Sequence, residues 1–232
     1  PIIGRPKSAT FRTADVVGLD TLVKVAKGVA ENCPDDEAKQ IFAIPSWLEK
    51  MLENKWLGDK SGQGFYKKIK GADGQKEILT LNLSTLAYQP KVKAKFASLD
   101  AAKPVEDLKA RIKMLYAAQD RAGKFYQHFH CALFSYISHR IPEISDEIYR
   151  VDDAMMAGFG WEIGAFETWD LLGVANTTEK MKAEGYGVAL WVEEMLSKGI
   201  TSFYKTEHGR KLCYVPAKGD YIPVSEIGRA HV

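Results

Sequence analysis

An eight-residue element occurs twice in this chain. Phe11-Arg12-Thr13-Ala14-Asp15-Val16-Val17-Gly18 returns as Phe166-Glu167-Thr168-Trp169-Asp170-Leu171-Leu172-Gly173, keeping Phe, Thr, Asp, Gly and the apolar pair before the Gly. Two further echoes follow in the same order: Trp47-Leu48-Glu49-Lys50-Met51-Leu52 with Trp191-Val192-Glu193-Glu194-Met195-Leu196, then Phe65-Tyr66-Lys67 with Phe203-Tyr204-Lys205. Shared amphipathicity alone would not preserve that order, so a duplicated module is implied. The offset between copies falls from 155 to 144 to 138 residues, so the second copy has shorter loops. Two copies are too few to stack into a solenoid. The expectation is a mainly α fold of two homologous helical domains related by a pseudo-two-fold, with Phe11 and Phe166 in equivalent buried positions.

The copies are unequal on their N-terminal side. A preamble from about Val105 to Ala157 precedes the second element, whereas ten residues precede the first. A symmetric ancestor would need about fifty more residues upstream of Pro1, which suggests a segment of a larger protein. The stretch Glu226 to Val232 reads as a tail that joins no element.

Composition narrows the classes. A length of 232 residues allows one large or two small domains with a sizeable core. A formal charge of +2 leaves no footprint for nucleic acid or an anionic membrane, so neither is expected as a partner. No run approaches the roughly 18 apolar residues of a membrane helix, and no signal peptide opens the chain. Cys33, Cys131 and Cys213 are odd in number and far apart, which fits reduced thiols in a cytoplasmic protein.

The periodicity is mostly helical. Thr13 to Ala30 has apolar residues at helical spacing, broken at Gly18-Leu19-Asp20, and Asp20 is placed to cap the second helix. Pro45-Ser46 opens the next helix, Gly58 to Gly64 forms a turn, and Phe65-Tyr66-Lys67 suggests a short extended end. Residues 69–104 read as a connection, with one short strand at Ile78 to Leu83. From Val105 a single long helix is expected to about Arg140, ended by Pro142. Shorter helices follow from Asp146 to Met156, through Glu179 to Ala183, and from Val188 to Ser197. Lys211 to Val224 alternates like a hairpin, or serves as a linker. The division expected is 1–68 for the first repeat, 69–104 for the connection, 105–206 for the second repeat, and 207–232 for a tail or linker.

Self-contained chemistry is hard to find. Gly158-Phe159-Gly160-Trp161-Glu162-Ile163-Gly164 has its third Gly one residue too late for a dinucleotide fingerprint, and a helix precedes it where a strand is required, so it reads as a helix-to-helix turn. Lys60-Ser61 lacks the glycines of a phosphate loop. His128 and His130, two apart on a helix, point to different sides and make a poor metal pair. No metal site and no catalytic residue is expected. Asp15 and Asp170 each lie three before a Gly at a helix end, where they bond nearby N–H groups. The loop Gly58-Asp59-Lys60-Ser61-Gly62-Gln63-Gly64 holds the functional promise, because three glycines let backbone approach a ligand closely and Lys60 brings a charge. The alternative is a tight exposed turn with a solvated Lys.

At these residues the chain resembles the C-terminal domains of L-3-hydroxyacyl-CoA dehydrogenases, including the duplicated form in multifunctional fatty-acid β-oxidation proteins. Phe11, Asp15, Gly18-Leu19-Asp20, Gly58, Lys60-Ser61-Gly62 and Gly64-Phe65-Tyr66 stand in that family's order and spacing, while Ala9-Thr10 replaces its Gly-Pro. The resemblance implies helical domains of the 6-phosphogluconate-dehydrogenase C-terminal-like type. It implies an N-terminal Rossmann domain absent from this sequence, which carries the catalytic His–Glu pair, with NAD as cofactor and acyl-CoA as substrate of the parent. NAD is not expected to bind this chain alone. Lys60 is the residue that the resemblance assigns to cofactor binding. The second copy, whose Lys198-Gly199-Ile200-Thr201-Ser202-Phe203 has no equivalent Lys–Ser–Gly, is implied to be a scaffold, and a homo-oligomer is a further expectation. The alternatives are a free-standing helical interaction module, or a dehydrogenase of another 3-hydroxy acid.

Overall fold

The computed structural model describes residues 1–7, 9–71 and 74–224. The chain divides into two compact units: Lys7–Ala94, and Pro1–Pro6 together with the chain from Lys95 onward. We refer to them as the N-terminal and C-terminal units.

The N-terminal unit runs α1 (Thr10–Val17), α2 (Leu19–Asn32), a 3-10 turn (Lys39–Phe42), α3 (Ser46–Glu53), a second 3-10 turn (Asp59–Ser61), then β1 (Tyr66–Lys70), β2 (Lys76–Leu81) and β3 (Tyr88–Pro90). The three strands form an antiparallel meander in that order. Gly18 separates α1 from α2 with φ at +98°, a value that glycine adopts without steric cost. Leu19 and Val23 of α2, Leu48 and Met51 of α3, Phe65 and Leu81 form the core, the helical residues at the three- and four-residue spacing that puts them on one stripe.

The C-terminal unit runs α4 (Ala97–Ala102), α5 (Leu108–Ala117), α6 (Arg121–His139), α7 (Ile148–Phe159), α8 (Ala165–Leu172), α9 (Val174–Ala183), α10 (Leu190–Ser197), β4 (Tyr204–Glu207), β5 (Arg210–Val215) and β6 (Asp220–Pro223). Its strands form a second antiparallel meander. Gly173, with φ at +87°, separates α8 from α9 as Gly18 separates α1 from α2. The core is aromatic. Phe134 of α6 stacks on Trp169 of α8 at 4.9 Å, and Phe166, Trp191 and Phe203 meet around them. The architecture is mainly helical, with ten α-helices and two small sheets among the described residues.

Several expectations are corrected. The long helix is two, α5 and α6, interrupted at Ala118-Gln119-Asp120. Asp120 caps α6 by accepting from Gly123 N at 2.9 Å, and a Cβ on Gly123 would lie 2.0 Å from the Ala118 carbonyl oxygen. The Asp-x-x-Gly signal was present in the sequence, hidden under apolar spacing that runs through the break. Residues 69–104 are no bare connection, since they hold β2, β3 and α4. The linker alternative for Lys211 to Val224 fails, because β5 places Cys213, Tyr214 and Val215 in the core. Glu226 to Val232 lies outside the described residues.

Phe11 is the fourth correction. Phe166 is fully buried, whereas Phe11 is 45% exposed. Both rings still meet the first aromatic of the sheet region, Phe11 to Phe65 at 4.6 Å and Phe166 to Phe203 at 5.1 Å. The difference is the cover. Trp169, itself stacked on Phe134, closes over Phe166, whereas Ala14 stands three after Phe11 where Trp169 stands three after Phe166.

Candidate functional site

Asp15 organises the loop that carries Lys60. Its buried carboxylate accepts from the backbone N–H groups of Phe65 at 2.8 Å and Tyr66 at 2.9 Å. Asp170 does the same in the other unit, accepting from Phe203 N at 2.7 Å and Tyr204 N at 2.8 Å. Both aspartates are structural, as expected, but their partners are neither nearby nor helical. They are the two amides that open the sheet, 50 and 33 residues on for the first bond in each unit. Desolvation raises the pKa of each carboxyl, against the lowering effect of the two N–H bonds.

That anchoring explains two of the three loop glycines. A Cβ on Gly58 would fall 2.3 Å from the Asp15 carbonyl oxygen, and one on Gly64 would fall 2.1 Å from Asp15 Oδ1. Both give way to Asp15, not to a ligand. Gly62 alone has open space beside it, with φ at +77°. Ser61 is structural too: its hydroxyl accepts from Leu57 N at 2.8 Å and lies 3.0 Å from the Gln63 carbonyl oxygen. Gly64→Ala is therefore expected to destabilise the N-terminal unit by about 1–3 kcal/mol through overpacking. Urea unfolding checks this, and an unchanged midpoint would refute the steric account.

Lys60 projects from the loop as half of an ion pair. Its Nζ lies 2.5 Å and 2.6 Å from the two carboxylate oxygens of Asp20, in the first turn of α2, and both side chains are 48% exposed. Asp20 stands inside the first turn of α2, whose N-cap is Gly18, and its carboxylate serves the backbone N–H groups of that turn. It also serves Lys60, whose ammonium, with those N–H groups, holds its carboxyl below the usual range. One residue earlier, Asp59 grips Arg12 of α1 through two hydrogen bonds of 2.7 Å and 2.6 Å. Neither Arg12 nor Asp20 was singled out as a partner from the sequence, since no local pattern reports contacts 40 or 47 residues apart. In the C-terminal unit the corresponding turn, Lys198-Gly199-Ile200-Thr201-Ser202, keeps a lysine five residues before the aromatic, Lys198, but has no Lys–Ser–Gly and no glycines at the Gly62 and Gly64 positions.

The helix histidines are occupied locally. His130 Nδ1 lies 2.7 Å from the Tyr126 carbonyl oxygen, and burial pushes its pKa down to about 4. His128 contacts the Tyr186 hydroxyl, and His139 Nδ1 lies 2.8 Å from the Ser135 carbonyl oxygen. Among the described residues no group of three or more His, Cys, Asp or Glu side chains is arranged to hold a metal ion, and no helix is long and apolar enough to cross a membrane.

A helix–glycine–helix pair, tied by one aspartate to the first two amides of a three-stranded sheet, defines a class: a compact helical domain that presents its loop at the end of α1. Residues 3–68 match the family described as 3-hydroxyacyl-CoA dehydrogenase, C-terminal domain. Over 97% of its length it is 44% identical to a "Probable 3-hydroxyacyl-CoA dehydrogenase" of Bacillus subtilis (strain 168), covering 28% of that protein. A Deinococcus radiodurans protein of the same name is 49% identical over 70 residues, 30% of this chain and 19% of its own length. A Rickettsia prowazekii (strain Madrid E) protein, named as a fatty acid oxidation complex trifunctional enzyme, is 26% identical over 71% of this chain and 21% of its own length. The chain thus spans 19–28% of the length of these relatives.

Proposed function

We propose that this chain is the C-terminal, substrate-side and dimerisation part of an NAD-dependent 3-hydroxyacyl-CoA dehydrogenase of fatty-acid oxidation. The observation that carries this reading is the Asp15-anchored loop with Lys60 exposed on it, inside the segment that matches the dehydrogenase C-terminal domain. Two copies of one module are the natural account of the shared helix–glycine–helix order and of the Asp15 and Asp170 bonds.

Both sheets among the described residues are antiparallel, so no parallel strand–helix–strand unit with a phosphate-binding turn occurs in them. NAD would accept the hydride in the complete enzyme. This chain's contribution would be a contact from Lys60, whose side chain is half exposed and whose Nζ is held by Asp20. An anionic group of the cofactor would share that ammonium with Asp20. No residue of the chain is proposed to move a proton or hydride.

Two measurements test the reading. The chain alone is expected to show no acetoacetyl-CoA-dependent oxidation of NADH, and measurable turnover would overturn the division of labour. In the complete dehydrogenase, Lys60→Ala is expected to weaken NAD binding by about 1–2 kcal/mol, the size of one charge-assisted contact. Because the Lys60–Asp20 pair is exposed, the melting temperature should barely move. Unchanged NAD affinity would return Lys60 to a solvated turn residue.

The side chains of Phe11, Val16, Val17, Leu22 and Val25 are exposed apolar groups on α1 and α2, the kind of surface that a dimer or a further domain covers. Val16→Asp is expected to shift the protein toward monomer in sedimentation. A monomer at all concentrations before substitution would remove the dimerisation role.

A further inference from the structure

The N-terminal sheet has a face that the function above does not use. Tyr66 and Lys68 of β1 pair across to Thr80 and Ile78 of β2, and Thr80 pairs with Gln89 of β3. Directly opposite residues of an antiparallel pair point the same way, and so do residues two apart on one strand. Tyr66, Lys68, Ile78 and Lys91 therefore share one face. They line a groove of about 620 Å³ whose other wall is Lys7, Ala9, Arg12 and Asp59. That volume is within the range of small-molecule sites.

The charges in it are unbalanced. Among the described residues, no carboxylate lies within ion-pairing distance of Lys7, Lys68 or Lys91, and all three side chains are exposed. Asp59, the acid that lines the groove, is already held by both terminal nitrogens of Arg12. Lys68 also lies in the field of Asp59, but one carboxylate against Lys7, Arg12, Lys68 and Lys91 leaves an excess of positive charge that raises the local potential for an anion. Tyr66 and Ile78 add an apolar floor between them, with Ile78 50% exposed.

The same face of the other sheet is built to be covered. There Tyr204 pairs with Cys213 and Thr206 with Lys211. The Tyr204 hydroxyl donates to Asp152 of α7 at 2.8 Å, Cys213 is fully buried, and α7 packs on β5. In the N-terminal unit that cross-strand pair is reversed, with Lys68 at the Thr206 position and Ile78 at the Lys211 position. Lys211 is ion-paired to Glu167, whereas Lys68 has no such partner within ion-pairing distance among the described residues. A helix laid over this face, as α7 is over its counterpart, would bury unpaired ammonium groups at a cost of several kcal/mol. The face suits a polar, anionic occupant.

We propose that this face binds a phosphate-bearing nucleotide, with the phosphates on Lys68, Lys91 and Lys7 and the ring system against Tyr66 and Ile78. The three cations recognise the phosphates, and the flat Tyr66 ring beside Ile78 recognises a base, which inorganic phosphate or a lipid headgroup lacks. The site is separate from the Lys60–Asp20 pair, so it stands or falls independently of the cofactor contact above.

Calorimetric titration of the protein in low salt with ADP, pyrophosphate and adenosine tests this. ADP is expected to bind saturably at about 1 mM or below, pyrophosphate to compete with it, and adenosine to bind far more weakly. Lys68→Ala and Lys91→Ala should each weaken ADP binding about tenfold, the worth of one hydrogen bond to a charged group. Both positions are exposed, so an unchanged melting temperature checks that the variants fold. The proposal is overturned if ADP does not bind, or if the double variant binds it as tightly as the parent protein. It is equally overturned if Lys60→Ala abolishes ADP binding while Lys68→Ala does not, which would move the nucleotide to the loop. Binding to phosphatidylserine vesicles that ADP fails to displace would assign the face to a lipid surface instead.

Discussion

Replacing Phe166 with Ala is expected to cost about 3–5 kcal/mol of unfolding free energy, whereas the same change at Phe11 should cost roughly 1 kcal/mol. The two residues hold the same place in the repeated sequence, so the repeat by itself would assign them equal values. Their surroundings differ. Phe166 is fully buried, in ring contact with Trp169, Trp191 and Phe203, and its removal leaves a cavity that these rigid rings cannot collapse to fill. Phe11 leans on Phe65 with nearly half its surface in water, so its loss opens a dent that solvent enters. Urea denaturation of both variants, followed by tryptophan fluorescence, measures the difference. Equal losses would mean that Phe11 is covered in solution.

The second large effect is on pH dependence. Asp152 accepts from Phe166 N, Glu167 N and the Tyr204 hydroxyl, while Asp170, nearby, accepts from Phe203 N and Tyr204 N. These bonds favour the carboxylate, but desolvation outweighs them, and the two acids with Glu167 repel one another. Asp152 is pushed up to about 6 and Asp170 to about 7, from ordinary values of 3.8. Folded-state pKa values above the unfolded ones mean that the folded state binds protons more tightly over this interval. The stability from these groups is therefore full below about pH 4 and is lost as the pH rises through 6 and 7. Between pH 8 and pH 5 the C-terminal unit should gain on the order of 2–4 kcal/mol from this pair, since each tenfold difference in proton affinity between folded and unfolded chains is worth about 1.4 kcal/mol. Denaturant titrations at pH 5, 6.5 and 8 measure it. Asp170→Asn should flatten the slope while lowering stability at every pH, because an amide NH2 would face two backbone donors. A wild-type protein that is more stable at pH 8 than at pH 5 would show that the five hydrogen bonds outweigh burial.

Local signals in the sequence carried much of the fold. Gly18 and Gly173 broke helical stripes where the chain does break, and Pro45-Ser46 opened α3. The alternation from Lys211 to Val224 became β5 and β6. Helical periodicity failed at Asp120, because apolar residues on α5 and α6 keep step across a turn that an N-cap dictates. The first sheet was almost invisible. Its strands are short, rich in lysine and half-exposed, so the hydrophobic alternation that marks a strand is missing from most of it.

The candidate site divides along the same line. Lys60 was legible as a charge on a glycine-rich loop, yet the glycines were misassigned. Gly58 and Gly64 make room for Asp15, whose position against the loop is a tertiary contact.

Side-chain period, glycine breaks, caps and the repeated Phe-x-Thr-x-Asp element are properties of neighbouring residues, so the sequence alone determined the mainly helical character and most of the helix starts and breaks. Which groups meet across 30 to 50 residues depends on how loops close and what covers each face, and a linear pattern holds no record of that. Only the tertiary structure could decide that Asp15 and Asp170 anchor sheets, that Asp20 holds Lys60, that α7 covers one sheet while lysines line the other, and that one of two matched phenylalanines is left in water.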